Sequence, residues 1–194
     1  MDLNTEYTQR YNFLESEFSP WLNLYKNITD YIMPRRGFYL DRDGDPSDKA
    51  VWNDNIINDS ATRAIRILGA GMQGGLSSEN RKWFRMGLID DEFAKWGPVK
   101  AWLDDLEDVC YKLLSGSNYY TVNHMLYEEQ GSFGTGCMFF ERDPQSIIRF
   151  RLATAGECRF AIGADGRTDT IYRKIPRTAR QIVDMFGEKM SLTR

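Results

Sequence analysis

The stretch Ala61-Thr62-Arg63-Ala64-Ile65-Arg66-Ile67-Leu68-Gly69-Ala70-Gly71-Met72-Gln73-Gly74 decides how this chain is read. Its last six residues form a literal G-x-G-x-x-G, and an acid, Asp90, follows about twenty residues on. After a buried strand, that pattern turns tightly into a helix and presents backbone N–H groups to a diphosphate. The residues preceding Gly69 do not make such a strand. Arg63 and Arg66 share one side, while Ala61, Ala64, Ile65, Leu68 and Met72 follow helical spacing on the other; a central parallel strand would have to bury both arginines. The stretch therefore predicts a helix, capped by Asp59 or Ser60 and ended by Gly74-Gly75-Leu76-Ser77-Ser78. Its small residues favour close packing against a neighbouring backbone. A nucleotide-binding enzyme built on Gly69 to Gly74 is the competing reading.

Upstream, Tyr7, Tyr11, Leu14, Phe18, Trp21, Tyr25, Ile28 and Ile32 recur at steps of three and four, the seam of an amphipathic helix. Ser19-Pro20 interrupts the seam as a cap followed by proline, which predicts two helices over residues 3–18 and 20–33. Met33-Pro34 stops the run, because proline disfavours helical geometry in the residue before it. Residues 35–58 read as a long polar loop around Asp41-Arg42-Asp43-Gly44-Asp45-Pro46. Its aspartates resemble the start of an EF-hand, but Pro46 stands where glycine is needed and Trp52 where a bidentate glutamate is needed, so a solvated turn is expected.

Downstream, Trp83-Phe84-Arg85-Met86-Gly87-Leu88-Ile89 alternates and predicts a strand. A helix after Pro98 carries Val99, Trp102, Leu103, Leu106, Val109, Cys110, Leu113 and Leu114, and a second covers residues 119–131. Beyond Gly134-Thr135-Gly136 the pattern turns to short strands at 137–141, 147–152, 158–162 and 168–174, with Gly163-Ala164-Asp165-Gly166 as a hairpin turn. Thr178 caps a final helix through Phe186 that Gly187 closes. Helices first and a small antiparallel sheet afterwards give an α+β class. The divisions are residues 1–34 (N-terminal helices), 35–58 (polar loop), 59–136 (a mainly helical core) and 137–194 (sheet plus terminal helix).

The 194 residues suffice for one domain with a proper core, and 42% hydrophobic residues, including five Trp, ten Tyr and eleven Phe, exclude intrinsic disorder. No apolar run is long enough to span a bilayer, so no membrane partner is expected. Twenty-eight acids against twenty-five bases give a net charge of -3, too mild to advertise a nucleic-acid binder. Cys110, Cys137 and Cys158 are dispersed in sequence with no C-x-x-C pair, which predicts buried thiols in a reducing compartment, neither a disulfide frame nor a zinc site.

Catalytic candidates fare poorly. The single histidine, His124, has Glu128 four residues on, a spacing that predicts a contact along one helix, with no nucleophile elbow near it in sequence. Asp104, Asp105, Glu107 and Asp108 follow one another on one helix and diverge, so a hydrated face is expected in place of a metal site. Arg35, Arg36, Arg63, Arg66, Arg81 and Lys82 could meet phosphates, but subunit contacts explain them equally well. No catalytic, cofactor-binding or metal-binding residue is assigned.

The landmarks taken in order resemble a family, the head-to-tail connecting (portal) proteins of short-tailed bacteriophages. The resemblance is carried by the run from Trp21-Leu22-Asn23-Leu24-Tyr25 to Met33-Pro34-Arg35-Arg36-Gly37, by Asn58-Asp59-Ser60-Ala61-Thr62-Arg63-Ala64 leading into Gly69-Ala70-Gly71-Met72, and by Gly75-Leu76-Ser77-Ser78 with Trp83-Phe84. Ser117-Asn118-Tyr119-Tyr120, Tyr127-Glu128-Glu129, Phe133-Gly134-Thr135-Gly136, Glu141, Gly166-Arg167-Thr168-Asp169-Thr170 and the segment from Thr178-Ala179-Arg180-Gln181 to Phe186-Gly187 continue it. The resemblance implies a structural protein without an active site, forming a ring, usually dodecameric, at one capsid vertex of the virion. It further implies assembly in the host cytoplasm, DNA passing through the ring, and capsid, terminase and tail proteins as partners. Members of the family run to several hundred residues, so stem, clip and crown are expected beyond Arg194, leaving the wing here. Trp21, Tyr25, Trp83, Phe84, Trp102, Tyr120 and Phe133 are expected to form the wing core.

Overall fold

The computed structural model describes residues 3–34, 58–173, 175 and 177–187. The expected loop at 35–58, with its aspartate run and Arg35 and Arg36, lies almost wholly outside them. The element order is α1 (Leu3–Tyr31), α2 (Ser60–Leu76), α3 (Asp91–Ala94), α4 (Gly97–Gly116), α5 (Tyr119–Phe133), β1 (Cys137–Asp143), β2 (Ile147–Ala153), β3 (Cys158–Ile162), β4 (Thr168–Arg173) and α6 (Ala179–Phe186). Helices precede strands, the α+β arrangement predicted.

The two N-terminal helices expected at 3–18 and 20–33 are one helix of 29 residues that runs through Pro20. Proline removes one backbone hydrogen bond and crowds the preceding turn. Here Phe18 before it and Tyr25 and Ile28 after it pack into one cluster with Phe133 and Ala155, so tertiary contacts hold both sides in line. Edge-to-face rings connect Phe18 to Tyr25 (5.4 Å) and Tyr25 to Phe133 (5.1 Å), and the Tyr25 hydroxyl donates to the Phe133 carbonyl at 3.3 Å. Nearer the start of α1, Arg159 forms a two-pronged ion pair with Glu15 (2.8 and 3.1 Å) while its guanidinium lies 3.8 Å from the Phe18 ring centre.

α2 and α5 form the main helix–helix interface. Gly69 is buried in it, and a Cβ there would come within 3.0 Å of Glu128 Cγ. Gly131 on α5 answers from the other side, where a Cβ would sit 2.7 Å from Leu68 Cδ2. Close packing is thus real at Gly69, but it does not extend along the helix: Gly71, Gly74 and Gly75 have open space where a side chain would be.

The strand expected at residues 83–89 is an extended segment outside any ladder. Its backbone bonds go to side chains of α4. The Tyr111 hydroxyl accepts from the amides of Trp83 (2.6 Å) and Phe84 (2.7 Å) and donates to the Phe84 carbonyl (2.9 Å), while Glu107 Oε2 accepts from Met86 N at 3.4 Å. A backbone satisfied in this way needs no neighbouring strand.

The small sheet is two separate antiparallel hairpins. β1 and β2 pair from Cys137 opposite Ala153 to Asp143 opposite Ile147, and β3 and β4 pair from Cys158 opposite Arg173 to Ile162 opposite Thr168. Between them the chain turns sharply, with Glu157 N donating to the Thr154 carbonyl at 2.8 Å. In that turn Ala155 N donates to the buried Glu129 Oε2 of α5 at 3.3 Å, so a helix carboxylate takes a backbone bond that a continuous sheet would use. The predicted turn at 163–166 closes the second hairpin, and Gly166 adopts φ 76°, where glycine carries no penalty. α6 starts with a full capping box between Thr178 and Gln181 and ends at Gly187.

The aromatic core is smaller than expected. Tyr25, Tyr120 and Phe133 are buried and Trp83 and Phe84 half-buried, but Trp21 (57% exposed) and Trp102 (58%) lie at the surface. On α4 the buried line runs through Leu103 and Glu107, so the helix is turned relative to its most aromatic position.

Candidate functional site

The glycine-rich stretch lies inside α2, and residues 60–68 leading into it are already helical. Its N–H groups are spent on the helix ladder, so the anion-facing turn a dinucleotide requires is not built. Asp90, which would have bound ribose, instead caps α3: its Oδ1 accepts from Glu92 N (3.0 Å) and Phe93 N (3.2 Å). The nucleotide-binding reading has no geometric support.

The end of α2 is tied down by a polar knot. Gln73 Nε2 donates to the Tyr120 carbonyl at 3.1 Å, Asn123 Nδ2 donates to Ser77 Oγ at 2.7 Å, and Ser77 Oγ lies 3.0 Å from the Tyr127 hydroxyl. Arg81 donates to the carbonyls of Gly74 and Gly75, a cation placed on the negative end of the helix. His124 Nε2 lies 3.4 Å from Glu128 Oε1, the contact along one helix that the spacing predicts. Gly69 packs directly on this pair, so that an added Cβ would lie 3.0 Å from Glu128 Cγ and 3.4 Å from His124 Cε1.

The acids of α4 divide unexpectedly. Asp104 and Asp105 are exposed, but Glu107 is buried, which corrects the hydrated face expected for it. Lys82 joins Glu107 (3.1 Å) to Asp108 (2.6 Å). Hydrogen bonds, first to Asp108 and then to Glu107, hold the Lys82 ammonium above its ordinary pKa, and the same lysine holds Asp108 below its own. Of the other cations, Arg63 pairs with Asp59 at 3.0 Å, whereas Arg66 is exposed. Lys82, Arg63 and Arg81 are therefore occupied by intramolecular partners. Among the described residues no group of three or more His, Cys, Asp or Glu could hold a metal ion, and no helix is long and apolar enough to cross a membrane.

The features that fix the architecture went unread in the sequence. Tyr111, Glu107, Glu129 and Arg159 sit in positions whose spacing gives only a helix or a strand, and their roles come from partners distant in the chain. An open cleft of about 430 Å³ lies between α1, the end of α5 and β3, lined by Leu14, Phe18, Trp21, Tyr25, Phe133 and Arg159. It is mostly apolar, with Arg159 engaged by Glu15 and with Glu17 and Cys158 also on its lining.

The family model for bacteriophage head to tail connecting protein matches residues 4–193. The chain is 35% identical over 185 residues to the probable portal protein of Bordetella phage BPP-1, covering 95% of this chain and 33% of that protein. It is 34% identical over 169 residues to the portal protein of Salmonella phage epsilon15, covering 87% of this chain and 29% of that one. The chain thus spans about a third of the length of these curated relatives. A match running from the first turn of α1 past the end of α6 leaves no described element outside it: the chain belongs to the bacteriophage head to tail connecting protein family.

Proposed function

We propose that this chain is the wing portion of a portal subunit, a structural component of the ring at one capsid vertex through which genomic DNA is packaged and later ejected. The observation that carries the reading is the family match over residues 4–193 together with 35% identity to a portal protein across 95% of the chain. On this reading the protein performs no catalysis and needs no cofactor or metal. Its partners are other portal subunits in a ring, dodecameric in the full-length protein, together with capsid, terminase and tail proteins, and its place is the virion after assembly in the host cytoplasm. The exposed aromatics Trp21, Trp96 and Trp102 support an assembly role, since such side chains are enriched where proteins meet. On this reading the stem, clip and crown, with the DNA-facing surface, are assigned to the part of such relatives that this chain does not match.

Gold-labelled antibody against this chain, applied to opened phage particles carrying its gene, tests the reading by electron microscopy. Label is expected at a single vertex per particle. Label at all vertices, or particles without label, would overturn it.

A further inference from the structure

A second open cleft, of about 750 Å³, lies where the extended segment after Lys82, the end of α3 and the first half of α4 meet. Met86, Ala94 and the buried Leu103 give it apolar walls, and four cations line it: Lys82, Arg85, Lys95 and Lys100. Lys82 is spent on Glu107 and Asp108. The other three are exposed, and their side chains make no ion pair or hydrogen bond among the described residues. They come from separate places in the chain. Arg85 is in the extended segment, Lys95 closes α3 and Lys100 is in the first turn of α4, so it is the fold that gathers them. With Glu107 matched by Lys82, Asp104 is the one acid of the lining left to oppose three cations. A concavity with apolar walls focuses such a field on whatever enters it.

We propose that this cleft docks an acidic segment of a protein partner, its carboxylates on Arg85, Lys95 and Lys100 and an apolar side chain seated on Met86 and Leu103. Arg85 offers the planar fork that takes a carboxylate through two parallel hydrogen bonds, while the two lysines act as compact charges on either side. Next to lining residues in the chain stand further exposed apolar groups, Leu88 after Gly87, and Phe93 and Trp96 around Ala94 and Lys95, the last two rings 5.9 Å apart. Aromatic side chains and arginine together are the composition of protein-recognition surfaces.

Charge complementarity also separates this occupant from nucleic acid. Residues 79–108 hold eight acids and five bases, so the positive field is confined to the cleft and its surroundings are negative. A duplex carries one phosphate charge about every 1.7 Å and would run from the cleft straight over those acids. A short acidic segment places its charges inside the cleft and nowhere else. The proposal draws on the cleft alone and goes beyond the ring reading, which the vertex label tests separately.

Selection of a random-peptide library displayed on yeast, with the folded chain as bait, tests it. Recovered peptides are expected to combine Asp and Glu with Trp, Phe or Leu. Synthesised with a fluorescein label, they should raise anisotropy on binding, and less so as salt shortens the screening length from about 10 Å to about 3 Å. The double variant Lys95→Glu, Lys100→Glu should bind them about tenfold or more weakly, with an unchanged urea midpoint because neither residue has a partner to lose. The double variant Arg66→Glu, Arg180→Glu makes the same charge change away from the cleft and should bind as the unaltered chain does. No enrichment, recovered peptides without acids, or equal loss in the two double variants would overturn the proposal. So would a short DNA duplex that binds more tightly than the peptides and is lost with the cleft variant alone.

Discussion

At the scale of single residues, Gly69 and Gly71 share one helix and one motif yet answer to different forces. A Cβ at Gly69 would press on Glu128 Cγ at 3.0 Å, and a branched side chain would reach further into α5, whereas Gly71 faces open space. Gly69→Val should therefore destabilise the chain by roughly 1–3 kcal/mol through overpacking. Gly71→Ala should stabilise it by about 0.5–1 kcal/mol, the ordinary gain of alanine over glycine within a helix. Urea denaturation of the two variants checks both signs, and equal effects would contradict the packing described. The sequence shows that these residues are small and helical. It does not show which glycine meets a neighbour, because that depends on how α2 is rotated against an α5 that lies about fifty residues downstream.

Elements were legible where their signals were local, and illegible where a distant side chain replaced the expected partner. The cap at Thr178 and the hairpin turn at 163–166 stand as predicted, each being settled within a few residues. Residues 83–89 have a strand's pattern but not a strand's bonds, since one phenol on α4 satisfies two of their amides. Tyr111→Phe keeps the ring stacked on Phe84 at 4.4 Å but leaves both amides without their acceptor. It should cost roughly 1–3 kcal/mol, and hydrogen exchange at Trp83 and Phe84 should rise ahead of exchange in α4. Unchanged protection at those amides would contradict the clamp. Pro20 misled in the opposite direction, its local signal for a break being overridden by the rings packed on both sides of it.

For the whole molecule, the sequence foretold the α+β class and the four short strands after the helices, but not the extent of the core. Periodicity identifies which residues share a helix face; whether that face is covered depends on what else is present. Phe133, buried between α1 and the turn after β2, should cost about 3–5 kcal/mol as Phe133→Ala. Trp102, exposed on α4, should change the stability of the isolated chain by no more than about 0.5 kcal/mol as Trp102→Ala. Thermal melts of both variants check the contrast. A large loss for Trp102→Ala would mean that α4 is rotated from the orientation described.

The long first helix has a consequence for synthesis on the ribosome. Its anchors lie far along the chain: Tyr25 waits 108 residues for Phe133, Glu15 waits 144 for Arg159, and Arg10 waits 160 for Thr170. α1 is therefore seated only after the closing hairpin has left the exit tunnel. For that interval Phe18 and Tyr25 remain uncovered on the nascent chain, a natural landing place for a chaperone during translation.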